Sequence, residues 1–249
     1  MEALLILFAL GIAFLTFYLK SPTVIGAAGE RRVNSILGRK LNKQDYILFE
    51  DLTLPTSNGT TQIDHIVLSR FGIFVIETKN MSGWIFGGKS QKRWTQVMRR
   101  KKIQFQNPLH QNYHHIKVVQ NLLNIHMDQL ENLVVFVGTA KPKTEMPANV
   151  FWRSQELYKH ISSRTNVKFT ENEVHELSVK LHRGSLSSNR ETQLLHVQNV
   201  RQKVSQGESN LTICPRCSSK MIERSNRKTG QIFMGCSSYP KCSGTRQVK

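Results

Sequence analysis

Asp64, Glu77 and Lys79 are charged side chains set in residues 61–80, TQIDHIVLSRFGIFVIETKN, a stretch otherwise composed for burial. Ile66-Val67-Leu68 and Ile73-Phe74-Val75-Ile76 read as two buried strands, and such strands hold charge only where it has a partner or a task. The two-residue period of a strand puts Glu77 and Lys79 on one face. An even turn centred on Arg70 and Phe71 would set Asp64 opposite Glu77, with Cβ atoms about 5 Å apart. Two carboxylates that close repel unless a cation or a proton lies between them, which suits a hard divalent ion with oxygen ligands. The chemistry would be metal-assisted phosphodiester cleavage. Asp64 and Glu77 would hold magnesium or manganese, which lowers the pKa of a bound water, and Lys79 would orient that water or neutralise developing charge. The competing reading is a surface ion pair of Glu77 with Lys79 beside a lone exposed Asp64.

Neighbouring elements must position this chemistry. VIGAAGERRVNSILGRKL reads as an amphipathic helix in which Gly26, Ala27, Val33 and Leu37 share a face with Glu30. A carboxylate there needs a partner: the solvent rim, a basic neighbour or the site itself. Residues 89–102 hold seven basic residues and no acid, with Trp94 among them. Beside a metal site Arg99, Arg100, Lys101 and Lys102 would hold a phosphate backbone, although the same run also serves as a solvated face. Asn107 can cap and Pro108 can open the next helix, where Gln111 shares a face with Val118 and Leu122 and either touches the site or packs. His110, His114 and His115 read as a solvated face of that helix rather than as metal ligands.

GAAGERRVNSIL, TQIDHIVLSRFGIFVIETKNMSGWI and FQNPLHQNYHHI, in that order, resemble the nuclease-related domain (NERD), a branch of the PD-(D/E)XK nuclease-like superfamily. The resemblance covers residues 26–164. It implies an α/β fold with a restriction-endonuclease-like core, a central mixed sheet flanked by helices. It further implies Glu30, Asp64, Glu77 and Lys79 as the active-site set, with Gln111 as a helper.

The four cysteines form a second constellation. Cys214 and Cys217 make one knuckle, Cys236 and Cys242 a second, and four thiolates at this spacing fit structural zinc; a disulfide pairing would need an oxidising compartment. A tail of 36 residues is too small to bury a sufficient core without such a staple. It carries eight Lys or Arg and one acid, Glu223, with Phe233 and Tyr239 among them. Cations for phosphates and rings for unpaired bases suit a single strand, with Arg216, Tyr239 and Lys241 as contacts. The structural alternative has Phe233 filling the small core and Tyr239 shaping the second knuckle. The tail resembles the zinc ribbons at the C-terminus of bacterial type IA topoisomerases, which implies zinc and nucleic-acid contact. It implies no topoisomerase activity, because nothing here resembles that enzyme's catalytic domains.

Residues 3–19 are 17 uncharged, mostly apolar positions, at the short edge of what spans a bilayer. The only charge before them is Glu2, whereas Lys20, Arg31, Arg32, Arg39 and Lys40 follow, so the expectation is a single-pass anchor with its N-terminus outside and the rest cytoplasmic. Secretion after cleavage is the alternative. The expected organisation is an anchor at 1–20, a nuclease-like domain at 24–165, a helical extension and linker at 166–210 and the ribbon at 211–249.

The chain has 249 residues with 35 basic against 17 acidic, a net charge of +18 and a pI near 10.1. That charge suits a polyanion; nucleic acid, DNA above all, is the obvious one, and anionic lipid beside an anchor is another. Residues 133–138 read as a further strand, Ser154 as the cap of a short helix, and Thr170 with Glu173 as a capping box. A last helix is expected at 191–204. There is no internal repeat, phosphate-cradling glycine loop or evident Ser or Cys nucleophile. Two functions follow: a membrane-tethered, metal-dependent nuclease served by its ribbon, or a non-catalytic nucleic-acid-binding adaptor with a nuclease-like fold.

Overall fold

The computed structural model describes residues 21–186 and 213–247, apart from 58, 215, 218 and 227–229. The chain divides into two compact units, residues 1–188 and 189–249. The expected anchor at 1–20, the helix at 191–204 and the end of the linker lie outside the described residues. Among the described residues no helix is long and apolar enough to cross a membrane.

The first unit begins with helix α1 (Pro22–Lys40), opened by Pro22 and capped by the Ser21 side chain. Strands β1 (Tyr46–Thr56), β2 (Gly59–Ser69) and β3 (Gly72–Met81) follow as an antiparallel meander. The β2–β3 turn is centred on Arg70 and Phe71, with Ser69 opposite Gly72 and His65 opposite Ile76, the register expected from the sequence. Ser69 fastens it: its Oγ donates to the Gly72 carbonyl at 3.2 Å and accepts from the Phe71 N–H at 3.1 Å. Strand β7 (Leu130–Gly138) pairs parallel to β3, and β9 (Val150–Phe151) parallel to β7. The sheet is therefore mixed, in the order β1-β2-β3-β7-β9.

Helices cover both faces. On one, Val33 and Leu37 of α1 and Leu157 and Ile161 of α3 (Ser154–Ser162) meet Val67, Phe74, Ile76 and Val135. On the other, Ile116 and Val119 of α2 (Pro108–Leu123) and Leu177 and Leu181 of α4 (Glu171–Gly184) meet Ile66, Leu68, Ile73 and Val75. Truncating a fully buried Leu such as Leu37 to Ala costs about 2–5 kcal/mol. Asn107 caps α2 through its Oδ1, 2.9 Å from the Leu109 N–H, and the Thr170 and Glu173 capping box opens α4. Ser154 does not cap α3: Arg153 occupies that position, and Ser154 is the first helical residue.

A second sheet, in the order β6-β5-β4-β8, comprises β4 (Trp84–Phe86), β5 (Arg93–Met98), β6 (Lys101–Gln106) and β8 (Lys141–Pro142). The β5–β6 hairpin turns at Arg99 and Arg100, which with Lys101 and Lys102 are exposed. Trp94, which lies among these basic residues in the sequence, is not available to a ligand. It is fully buried, stacked on Phe136 at 6.2 Å, and its Nε1 donates to the Gly88 carbonyl at 3.0 Å.

The second unit is an antiparallel sheet of β10 (Met221–Ser225), β11 (Ile232–Cys236) and β12 (Thr245–Gln247). Its small core is Met221 with Cys214 and Cys236. Phe233, expected to fill that core, is only partly buried and lines a surface depression with Asn226, Gln231, Thr245 and Arg246.

Candidate active site and cysteine cluster

Glu77 and Lys79 project from the C-terminal half of β3 toward α2, as their shared parity with the core residues Ile73 and Val75 requires. Glu77 is 2% exposed, and Lys79 Nζ lies 2.5 Å from its Oε1. The same ammonium donates to Gln111 Oε1 at 3.1 Å, so Gln111 touches the site rather than merely packing. His115, one turn further along α2, lies 3.4 Å through Nε2 from Glu77 Oε2, and its Nδ1 is 3.0 Å from Thr61 Oγ1. His115 is thus a buried neighbour of the carboxylate and not the solvated residue its polar surroundings suggested. Asn112 holds α2 over this spot by donating to the Val75 and Leu133 carbonyls at 2.7 and 3.1 Å.

Asp64 sits where the sheet opens. The β2–β3 pairing ends at His65 and Ile76, and beyond it Asp64 Oδ2 accepts the Thr78 N–H at 2.7 Å, taking the place of a strand carbonyl. Across the β1–β2 ladder the pairs on either side of Asp51 and Asp64 are formed, but that pair is not. Asp51 there adopts φ +52°, and Gln62 Nε2 donates to its carboxylate. Phe49, Leu52 and Leu54 all reach one core, as do Ile63, Ile66 and Leu68, so the alternation slips by one residue in each strand at this point. The slip lets carboxylates enter a sheet whose flanks remain apolar.

Glu30 is brought in by the glycine before it. A Cβ on Gly29 would lie 2.7 Å from Asn80 Cβ and 3.0 Å from Val137 Cγ2, so only glycine lets α1 lie this close to β3 and β7. Asn80 Nδ2 donates to the Ile25 carbonyl at 2.7 Å and fixes the contact. Glu30 is half-buried and raised above the usual carboxylate range by burial, then by Asp51 and Glu77. Asp64 is raised well above it, by burial and by the Glu77 charge, despite the Thr78 hydrogen bond. Burial pushes Glu77 the same way, but contacts with His115 and Lys79 outweigh it and hold Glu77 below its ordinary value. His65, fully buried with no partner for either ring nitrogen, is lowered by burial to about 4 and is neutral.

The structure therefore gathers Glu30, Asp64, Glu77, Lys79 and Gln111 in one place and adds Asp51, Thr61 and His115. His115 could have been found from its i+4 spacing to Gln111. Asp51 carried no such signal, since its placement depends on the strand slip. The buried Glu77 Oε2 accepts no aligned hydrogen bond and its charge helps to raise Asp64, so a divalent cation at these two carboxylates would offset both. These carboxylates do not close as tightly as the cysteines: among the described residues, only Cys214, Cys217, Cys236 and Cys242 bring three or more ligand atoms within 4.8 Å of one another.

The sulfurs of Cys214 and Cys242 are 3.7 Å apart and those of Cys217 and Cys236 3.4 Å. A disulfide would need about 2.05 Å. Four thiolates about 2.3 Å from a zinc ion form a tetrahedron with edges of about 3.8 Å, so the cluster fits structural zinc. Gly244 leaves the room, since a Cβ there would lie 2.4 Å from Cys214 Sγ. Around it Tyr239 is 61% exposed with the Arg224 guanidinium 5.5 Å from its ring centre, Lys241 is exposed, and Arg216 donates to Ser243 Oγ at 3.0 Å.

The nuclease-related domain family model matches residues 25–137, and the model described as topoisomerase DNA binding C4 zinc finger matches 212–249. An uncharacterized protein of Bacillus anthracis is 41% identical over 161 residues, covering 61% of this chain and 73% of the relative. DNA topoisomerase 1 of Pyrococcus horikoshii is 50% identical over 35 residues, 14% of this chain and 5% of that enzyme. For the enzyme of Pyrococcus furiosus the figures are 46%, 35 residues, 14% and 3%. No solved structure matches.

Proposed function

Since the chain belongs to the nuclease-related domain family and ends in a topoisomerase-type zinc ribbon, we propose that it is a metal-dependent nuclease acting on DNA, anchored to the membrane through residues 1–20. The observation that carries this reading is the frustrated pair Asp64 and Glu77, a buried carboxylate held ionised and a partly buried one that its charge repels. Holding two such carboxylates together, one of them buried, without a cation is costly, which supports a site made for one. Asp64 and Glu77 would hold magnesium or manganese, with Glu30 beside them; the bound ion would supply an acidified water and polarise the phosphate. Lys79, anchored by Glu77 and Gln111, carries its ammonium to the place where phosphate charge develops. His115 keeps Glu77 charged. The exposed Arg99, Arg100, Lys101 and Lys102 would bind the backbone, and the ribbon, through Arg216, Tyr239 and Lys241, would hold a single strand.

The test is cleavage of single-stranded, duplex and branched DNA by the full-length protein with magnesium or manganese. Glu77→Ala and Lys79→Ala should each lower the rate by roughly 100-fold or more. Unchanged cleavage in both would remove the site from these residues. One observation favours the adaptor reading: Lys79 and His115 already compensate Glu77 without a metal. Wild-type protein that binds DNA and never cuts it would establish that alternative.

A further inference from the structure

Trp84 is the exposed aromatic that the basic stretch requires once Trp94 is buried. Its side chain is 50% exposed, and the Lys143 ammonium lies over its ring at 4.6 Å from the centre. Directly paired residues of a sheet share a face, so the pairing of Trp84 with Val97 and of Val97 with Lys102 places Trp84 and Lys102 on one side of the second sheet. Ile85 and Gln96 point to the other side and are buried. Lys141 pairs with Trp84 from the opposite edge. A depression of ≈ 640 Å³ opens alongside, lined by Ser82, Gly83, Met98, Arg99, Arg100 and Lys101.

The charge of this surface is one-signed. Residues 78–127 contain nine Lys or Arg and no Asp or Glu, and no strand of the second sheet carries an acid. Among the described residues Lys102, Lys141, Lys143 and the cations of the hairpin tip form no salt bridge, so their charge is available to a ligand. A half-exposed indole framed by cations that have no carboxylate partner suits a ligand with alternating flat rings and negative charges. Trp84 also follows Lys79 by five residues, which limits their separation to about 18 Å. A strand stacked on Trp84 would therefore run close to the candidate active site.

From this we infer that the outer face of the second sheet is a platform for single-stranded nucleic acid, on which Trp84 stacks an unpaired base while Lys102, Lys141 and Lys143 hold the flanking phosphates. The inference rests on the reading that this chain handles nucleic acid, and it concerns how the strand is held rather than whether it is cut.

The chain's three tryptophans are Trp84, Trp94 and Trp152, all outside the ribbon, so their emission reports the first unit alone. Full-length zinc-loaded protein, with magnesium and manganese withheld, is titrated with a short oligothymidylate while emission and oligonucleotide anisotropy are followed. The expected result is quenching in the wild type that is largely lost in Trp84→Phe. Trp84→Ala should weaken binding by roughly 5- to 100-fold, the loss of one stacked base. Lys102→Ala and Lys141→Ala should each reduce the log-log salt slope by about 0.7. Equal quenching in Trp84→Phe, or binding by anisotropy with no quenching, overturns the platform. So does a response of Trp84 to phosphatidylserine vesicles but not to oligonucleotide, which would mark a membrane-facing patch. Quenching without cleavage when metal is restored leaves the platform standing and removes the catalytic reading; cleavage with unaltered quenching in Trp84→Phe does the reverse.

Discussion

Glu77 stays charged inside the protein because Lys79 and His115 give back more than burial takes. Its depressed pKa means that its stabilising contribution exists above the ordinary carboxylate range and is lost as pH falls through the folded value. Asp64 and Glu30 have the opposite sign. Their raised folded pKa values mean that the folded state binds more protons than the unfolded one, so stability drops as pH rises from about 4, where a free carboxyl titrates, through the folded values. Asp64→Asn can keep the Thr78 hydrogen bond while removing the charge. At neutral pH without divalent ions it should melt a few degrees above wild type, and it should lose any magnesium-dependent rise in Tm that wild type shows. A fall in Tm with the metal response intact would contradict the role given to Asp64. His115→Ala should destabilise by about 1–3 kcal/mol through the partner it leaves buried, measurable by denaturant unfolding. Asp64, Glu77 and Lys79 could be picked out in the sequence because charge in a buried strand is conspicuous. His115 carried a weaker signal, its i+4 spacing to Gln111, which its polar neighbours on α2 obscured.

At the scale of elements, local rules carried far. The β2–β3 register followed from the turn at Arg70 and Phe71, and the Asn107 and Thr170 caps followed from side chains adjacent to the helices they open. What failed needed tertiary knowledge. Two features carried no sequence signal: the slip at Asp51, which depends on how the strands part, and the burial of Trp94 against Phe136, which is distant in sequence. Ser154 had the right residue type for a cap but stands one position too late. Gly29 is the element-scale control of the site. Gly29→Ala must push α1 away from Asn80 and Val137, and should cost about 1–3 kcal/mol in thermal or denaturant unfolding. It should also lower cleavage by displacing Glu30; unchanged stability would show that α1 does not depend on this close approach.

Over the whole molecule, two compact units carry distinct chemistry, a group of carboxylates in the first and four thiols in the second. A unit whose core is Met221 and two cysteines has little apolar area to bury, so zinc contributes most of its folding free energy. Zinc chelation should therefore unfold the ribbon and leave the first unit's transition in place, as calorimetry with and without a chelator would record. A single transition that moves as one would contradict separate folding. The ribbon was legible because four cysteines in 36 residues admit few architectures; the apolar runs marked β2, β3 and β7, and the mixed sheet itself was what the family resemblance implied. The excess charge of +18 falls on both the hairpin of the first unit and the ribbon, so DNA binding should weaken steeply with salt.

The most direct measurement is single-turnover cleavage of labelled DNA by full-length wild type and Glu77→Ala, each with manganese or magnesium and with the metal withheld. Wild type should cleave only when metal is present, and Glu77→Ala should lose roughly 100-fold or more in rate while DNA binding is retained. Metal-independent cleavage, or equal rates in the two proteins, would contradict the proposed metal site.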